Sequence, residues 1–283
     1  MPGNLAPGLC EAPPAASSGA PLAVSVVVPV FHEAENIAAT VQAITQSLSA
    51  DHEILVVYDV EDDPTVPVVR ELMAAYPRVA LVKNHVARGP SGALRAGFAA
   101  ARAPRVLVVM ADGSDDLALV DAWLKLVPSQ ADIIAPSRYC RGGAQVLGPG
   151  SLRVKAIAPR LAGSLVKWVG GLPTVDPTNS FKLYSAEVLN SMRLTSTASF
   201  SVTLEIVAKA YCLGYRILEQ PTVWRDRTHG QSKFPFAKSL ATYLPWFGAV
   251  MLRNRLAPLP RPWLRRWFGV GRGAPSGAAA VHA

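Results

Sequence analysis

Cysteine is scarce in this chain: Cys10, Cys140 and Cys212 are odd in number, far apart and without metal-ligand spacing, which argues against both a disulfide framework and a zinc site. Charge is sparse as well, at 17% of residues against 50% hydrophobic, which excludes a disordered chain and calls for a packed core. No apolar run reaches the roughly twenty residues that a spanning helix needs. The stretch 239–252, SLATYLPWFGAVML, is about fourteen residues long and contains Pro245. The first strand-to-helix turn, PVFHEAEN, has no glycine, so the G-x-G-x-x-G phosphate turn of a dinucleotide-binding dehydrogenase is missing. The start of the chain lacks the basic and apolar regions of a secretory signal, and residues 1–22, rich in Pro, Ala, Gly and Ser, read as a disordered leader on a cytosolic protein.

Acids are nearly absent from the C-terminal part. Residues 225–283 hold ten Arg or Lys and one acid, Asp226, a balance of +9, while residues 1–224 hold eighteen bases and nineteen acids, a balance of −1. A basic segment suits nucleic acid, an anionic membrane or an anionic substrate. Its apolar company selects the membrane: Trp263, Leu264, Trp267 and Phe268 alternate with Arg261, Arg265, Arg266 and Arg272. Residues 236–270 are therefore expected to be an amphipathic interfacial segment and 271–283 a disordered tail. The plainer alternative for 239–252 is a helix packed on the core.

The remaining pattern alternates. Val24 to Val30 and Ile54 to Val57 are β-branched runs too apolar for a half-exposed strand, and both suit central parallel strands covered on two faces. Between them Ile37, Val41, Ile44 and Leu48 recur at helical spacing after Asn36, a competent N-cap. Val79 to Val82, the helix-like Gly92 to Arg102, Val106 to Met110, a helix over Ala118 to Val127 capped by Asp116, and Ile133 to Ala135 continue the alternation. The class is α/β with an open, mostly parallel sheet and helices on both faces. After Pro136 come a Gly-rich loop, an amphipathic stretch from Arg153 to Val169, a helix from Val202 to Leu213 and a late strand from Tyr215 to Leu218.

Ligands of such sheets bind beyond the carboxyl ends of the strands. The segments that follow the strands, Pro29 to Glu33, Tyr58 to Asp63 and Ala111 to Asp116, are all acidic. Clustered carboxylates raise each other's pKa and call for a cation, and Mg²⁺ takes one or two carboxylates together with substrate phosphates. For Asp62, Asp63, Asp115 and Asp116 caps and solvated turns are the competing reading. Asp112, directly after RVLVVM, is the strongest ligand candidate.

Taken together, PVFHEAENI, ILVVYDVEDDPT, RGPSGALRAG, VVMADGSDD, SRYCRGG, DPTNSFKLY and WRDRTHGQSK resemble, in order, the signatures of glycosyltransferase family 2 in its dolichyl or polyprenyl phosphate mannosyltransferase branch. The match covers about residues 24 to 235. The resemblance implies a nucleotide-diphospho-sugar transferase (GT-A) domain over 23–235 and Mg²⁺ or Mn²⁺ as cofactor. It implies an inverting transfer of a hexose, mannose or glucose, from a GDP- or UDP-sugar to a polyprenyl phosphate at the inner membrane surface. Nucleic acid is not among the implied partners, whereas a membrane-protein or homo-oligomer partner is. Pro29, Phe31, Glu33, Val57 and Asp59 would surround the nucleoside, and Ala111 and Asp112 the diphosphate. The metal would rest on Asp112 with Ser114 or Asp115. Arg138 would meet the acceptor phosphate, with Arg153 as a companion, while Arg227 and Lys233 would close over the donor diphosphate.

Two departures bear on chemistry. Met110 stands where the family's D-x-D has its first Asp, and Tyr58 where the V-V-D-D pair has its first Asp. A donor-binding partner with impaired catalysis is thus an alternative to an enzyme. A phosphate acceptor is already ionised and needs cations, whereas a hydroxyl acceptor needs a general base. Glu205, an acid on an apolar helix face, is either the buried partner of an Arg or that base.

Overall fold

In the computed structural model the described residues are 21–147, 154–226 and 236–255. The expectations for residues 1–20, Arg153, Arg227, Lys233 and 256–283 lie outside them.

The expected alternation is present. β1 (Val24–Pro29), α1 (Ile37–Ser47), β2 (His52–Tyr58), α2 (Thr65–Ala75), β3 (Val79–Lys83), α3 (Pro90–Ala100), β4 (Arg105–Val108), α4 (Val120–Leu126) and β5 (Ile133–Ser137) follow one another. Then come β6 (Ala144–Val146), α5 (Val154–Trp168), β7 (Lys182–Ser185), α6 (Ala186–Asn190), α7 (Ser201–Leu213), β8 (Ile217–Pro221), β9 (Val223–Arg225) and α8 (Phe236–Arg255). Among the described residues, seven strands form one sheet in the order β3-β2-β1-β4-β7-β5-β8. Every neighbouring pair is parallel except the two that β7 makes with β4 and β5. β6 and β9 form a separate parallel ribbon.

Alternate residues of each strand feed two cores. Val24, Val26 and Val28 of β1 pack with α1, α2 and α4, while Val27 packs with α3, α7 and α8. This explains why the strands read as unbroken apolar runs: both faces are covered. α3 comes very close to the sheet, since a Cβ on Gly97 would lie 2.3 Å from Val27 Cγ1. At the amino ends of the strands, Glu53 is fully buried, accepts from Ser25 Oγ at 2.6 Å and pairs with Arg102 at 2.6 Å.

Local details depart from the sequence expectations. Asn36 occupies the N-cap of α1, but its side chain donates to Glu33 Oε2 at 2.8 Å and accepts no bond from the helix N–H groups. Asp116 accepts from Ala118 N at 3.2 Å, yet α4 starts at Val120 after Leu119, so Asp116 stabilises the preceding turn. α8 packs on α7 through Val250, which is fully buried, and through Tyr243 and Ala249. One side of the stretch 239–252 thus belongs to the core.

Candidate active site

The carboxyl ends of β1, β2, β4 and β5 and the amino end of the antiparallel β7 meet at one rim of the sheet; Val108 lies opposite Lys182 in the register. The loops that leave this rim carry the residues singled out from the sequence.

The loops after β1 and β2 are bound to each other. His32, in a left-handed conformation at φ 58°, donates its backbone N–H to both oxygens of Asp63 at 3.0 and 3.3 Å. Thr65 N donates to Asp63 at 2.8 Å, and Glu33 N donates to Thr65 Oγ1 at 2.9 Å. Burial would raise the Asp63 pKa, but these donors hold it below the ordinary value. Asp63 is therefore a buried bracket between loops and not a residue of a solvated turn; Asp62 is exposed. Asp59 is similarly committed: one oxygen accepts from Asn84 Nδ2 at 2.6 Å and the other from Gly89 N at 2.7 Å. Tyr58 donates its hydroxyl to Glu61 at 3.2 Å, and Lys83 pairs with Glu61 at 2.6 Å. Phe31 is exposed and tilted against His32 with ring centroids 4.5 Å apart.

The loop after β4 is arranged differently. Ser114 N donates to Asp112 Oδ1 at 3.1 Å, and Met110 N to Asp115 Oδ2 at 2.8 Å. Ala111 is buried and its carbonyl accepts from Thr40 Oγ1 at 2.8 Å. Arg225 N donates to the Ser114 carbonyl at 3.1 Å, so β9 ends beside this loop. Burial pushes the Asp115 carboxyl up to about 7, with the charge of Asp112 adding to the rise, while the Met110 N–H, Arg138 and Lys182 act the other way.

The cations come from β5 and β7. Arg138 binds the buried Asp176 in a fork, Nε to Oδ2 at 2.7 Å and Nη2 to Oδ1 at 2.8 Å, and Arg138 N adds a bond at 3.1 Å. Burial opposes the Arg138 charge, but Asp176 outweighs it and raises its pKa. The guanidinium also stacks over Tyr139, 5.1 Å from the ring centroid. Lys182 is fully buried, donates to the Asn179 carbonyl and is pushed down to about 7 by burial, with Arg138 lowering it further against Asp176 and Asp115. Asp176 and Lys182 are the site residues that sequence reading missed. The available signal was the motif DPTNSFKLY itself, whose acid and base were read only as part of the family resemblance.

Glu205, on α7, is fully buried. It pairs with Lys209 at 2.6 Å and accepts from Thr195 N at 2.8 Å and Ser196 N at 2.7 Å. Burial acts to raise its pKa, yet Lys209 and those N–H groups hold it below the ordinary value. Its role is structural, and its partner is a lysine in place of the expected arginine.

Among the described residues no three His, Cys, Asp or Glu side chains converge as a metal cage. Asp112 and Asp115, the charge of the first adding to the raised pKa of the second, supply two carboxylates of one loop, a donor set that suits an ion completed by phosphate oxygens.

Comparison with known proteins agrees with this geometry. The chain is 25% identical over 238 residues to a dolichol-phosphate mannosyltransferase of Pyrococcus furiosus, covering 80% of this chain and 65% of that protein. It is 26% identical over 264 residues to the glycosyltransferase AglD of Haloferax volcanii, covering 90% of this chain and 40% of that protein. The chain thus spans less than two thirds of the length of either relative. Among solved structures, glucosyl-3-phosphoglycerate synthase of Mycobacterium tuberculosis in complex with Mn²⁺, UDP and glucosyl-3-phosphoglycerate shares the fold at a TM-score of 0.55, with 19% identity over 81% of this chain and 79% of that one. A complex of the same enzyme with Mg²⁺ and UDP gives 0.54, at 18% identity over 81% of this chain and 78% of that one. The family model for glycosyl transferase family 2 matches residues 25–193, and with the sheet order and rim just described the chain belongs to that family of glycosyltransferases.

Proposed function

We propose that this glycosyltransferase moves a hexose from a nucleotide-diphospho-sugar to a polyprenyl phosphate at the inner face of a membrane. The observation that carries the acceptor class is Arg138. Its guanidinium is locked by Asp176 through Nε and Nη2, which leaves Nη1 for a phosphate oxygen at the strand rim. Glu205, the base that a hydroxyl acceptor would have used, is buried and paired with Lys209. The relatives named as dolichol-phosphate mannosyltransferase and AglD, and the metal and UDP in the neighbouring structures, support the same reading.

In this reading Pro29, Phe31, Glu33 and Val57 lie around the nucleoside, and Asp59 shapes that wall by holding Asn84 and Gly89. Asp112, with Ser114 or Asp115, would hold a divalent ion against the donor diphosphate, where it would offset charge developing on the leaving oxygens. Arg227 and Lys233 add cations to the same diphosphate. An oxygen of the acceptor phosphate attacks the anomeric carbon from the opposite face, the bond to the donor diphosphate breaks, and the configuration inverts. No proton has to leave the nucleophile, since a phosphate monoester is already largely ionised at pH 7, its second pKa being about 6.

Membrane attachment follows from the acceptor. No helix of the described residues is long and apolar enough to cross a bilayer. The basic, aromatic segment after α8 would attach at the surface, each Arg contributing about 1 kcal/mol near an anionic leaflet. Calorimetric titration with GDP and with UDP, each with and without Mn²⁺, tests the donor site. Transfer to a short polyprenyl phosphate compared with the matching polyprenol tests the acceptor. Binding of neither nucleotide, or equal transfer to both acceptors, would overturn the proposal.

A further inference from the structure

The turn that carries the counter-ion of Arg138 is fastened to three strands. On its leading side Thr174 Oγ1 and Val175 N donate to Glu219 of β8 at 3.0 and 2.6 Å. Behind it Asn179 Nδ2 donates to the Pro136 carbonyl of β5 at 2.9 Å, two residues before Arg138. The third fastening comes from β7, where Lys182 Nζ donates to the Asn179 carbonyl. Asn179 N closes the turn on the Asp176 carbonyl at 3.3 Å. Asp176 thus presents its two oxygens from a segment that cannot shift without breaking bonds to β5, β7 or β8.

Of these fastenings, Lys182 is the unexpected one. Its side chain is fully buried, and among the described residues its ammonium has one hydrogen-bond partner and no ion pair. An ammonium carries three N–H donors, so two of them lack a protein partner among those residues. Buried polar groups without partners oppose folding, and a methionine of similar length would fill the same space without that penalty. The surroundings do not relieve it: burial disfavours the charge most, Arg138 adds to this, and Asp176 and Asp115 offset only part. A residue that burdens the fold in this way, placed opposite Val108 at the rim of the sheet, points to a function.

Arg138 shows what that function is. Its guanidinium is planar, and with Nε and Nη2 both on Asp176 its plane follows the carboxylate. Where Nη1 points is therefore set by where the turn holds Asp176. We infer that Lys182 is a positioning residue for the acceptor: through the Asn179 carbonyl it fixes the turn that carries Asp176, and so aims Nη1 of Arg138 at the acceptor phosphate. This role rests on the acceptor reading above and adds to it the residue that keeps the receiving cation in place. Lys182 itself, wholly buried, has no surface with which to touch the substrate.

The test is steady-state transfer to a short polyprenyl phosphate by the full chain, with nucleotide calorimetry and thermal unfolding alongside. Lys182→Met should raise KM for the polyprenyl phosphate about tenfold, as loss of a residue that orients a ligand-binding group does, while kcat changes little. Its melting temperature should rise by about 2–4 °C, because the buried ammonium is gone. Lys182→Gln keeps a donor for the Asn179 carbonyl and should recover most of the acceptor affinity. Nucleotide binding in the presence of Mn²⁺ should be the same in all three proteins. A fall in melting temperature with unchanged KM would make Lys182 a structural brace only and overturn the inference, and so would failure of Lys182→Met to fold. Lys182→Gln as weak as Lys182→Met would also overturn it, since the Asn179 carbonyl would not be the means. Loss of nucleotide affinity as large as the rise in KM would assign Lys182 to the donor loop instead, against the inference. If the unaltered protein transfers equally to polyprenyl phosphate and polyprenol, the acceptor reading fails and the role of Lys182 with it. If the unaltered protein selects the phosphate and Lys182→Met has the same KM, the role of Lys182 alone is wrong.

Discussion

Two acidic loops leave the same rim of the sheet and look alike in sequence, YDVEDD after β2 and ADGSDD after β4, but they differ in what their oxygens bind. Both oxygens of Asp59 are taken by Asn84 and Gly89, and those of Asp63 by His32 and Thr65. In the loop after β4, Asp112 accepts from Ser114 N and Asp115 from Met110 N, and burial together with the charge of Asp112 raises the Asp115 pKa, with the cations Arg138 and Lys182 next to it. Asp59 and Asp63 each tie their loop to another segment, whereas Asp112 and Asp115 accept from N–H groups within their own loop. The first loop is a brace and the second the candidate binding edge.

The strongest way to break this comparison is at the counter-ion of the second region. Asp176→Ala leaves Arg138, only 16% exposed, without its carboxylate, and should cost about 3–5 kcal/mol in denaturant unfolding, the usual penalty for an orphaned buried charge. Retention of full stability would mean that the pair is not the keystone of the rim.

Asp112→Ala comes next. It should weaken Mn²⁺-dependent binding of the donor nucleotide on the order of 100-fold while the melting temperature moves little, because a strand-end ligand contributes little to the core. Calorimetry with and without metal reads both the affinity and its metal dependence, and unchanged affinity would remove Asp112 from the metal.

Asp59→Ala should do the reverse. Loss of two charge-assisted bonds should destabilise the fold by about 2 kcal/mol, in line with hydrogen bonds to charged groups. Nucleotide affinity should fall with the shape of the wall, but its dependence on Mn²⁺ should stay. A variant that abolishes the metal effect would make the two loops equivalent and end the comparison.

The smallest expected effect is on pH. Asp115 has a folded pKa of about 7, above its ordinary 3.8, so the stability it contributes is complete below pH 3.8 and is lost as pH rises through 7. Lys182 has a folded pKa of about 7, below its ordinary 10.5, so its contribution is present above pH 10.5 and is lost as pH falls through 7. The free protein should therefore melt lowest near pH 7. Asp115→Asn should flatten the acid side of that minimum and Lys182→Met the alkaline side, as measured by melting temperature at pH 5, 7 and 9.

Much of the frame was legible in the residues. β1 to β5 and the helices α1, α3 and α7 announce themselves through apolar runs and a 3.6-residue period, both of which are local. α2 escaped notice because Thr65–Ala75 contains Pro67 and follows Pro64, which reads as a turn. β7 escaped because Lys182–Ser185 is only four residues long, and nothing in KLYS distinguishes an antiparallel insertion between β4 and β5 from a loop. Asp112 was singled out from its place after β4. Asp176 was not, because its importance comes from Arg138, 38 residues earlier in the chain.

The sequence by itself determined the alternating architecture, the rim on which chemistry would be found and the separation of a nearly neutral domain from a basic tail, because hydrophobic periodicity and charge counts are properties of neighbours along the chain. Only the tertiary structure decided which acids brace one segment against another. Asp63 is closed by His32, 31 residues away, Asp59 by Asn84, 25 residues away, and Glu205 by a lysine one turn further on together with a loop that folds back over it. Whether a carboxylate is a brace, a buried ion pair or a ligand depends on which donors the fold brings to its two oxygens, and no local pattern specifies those donors.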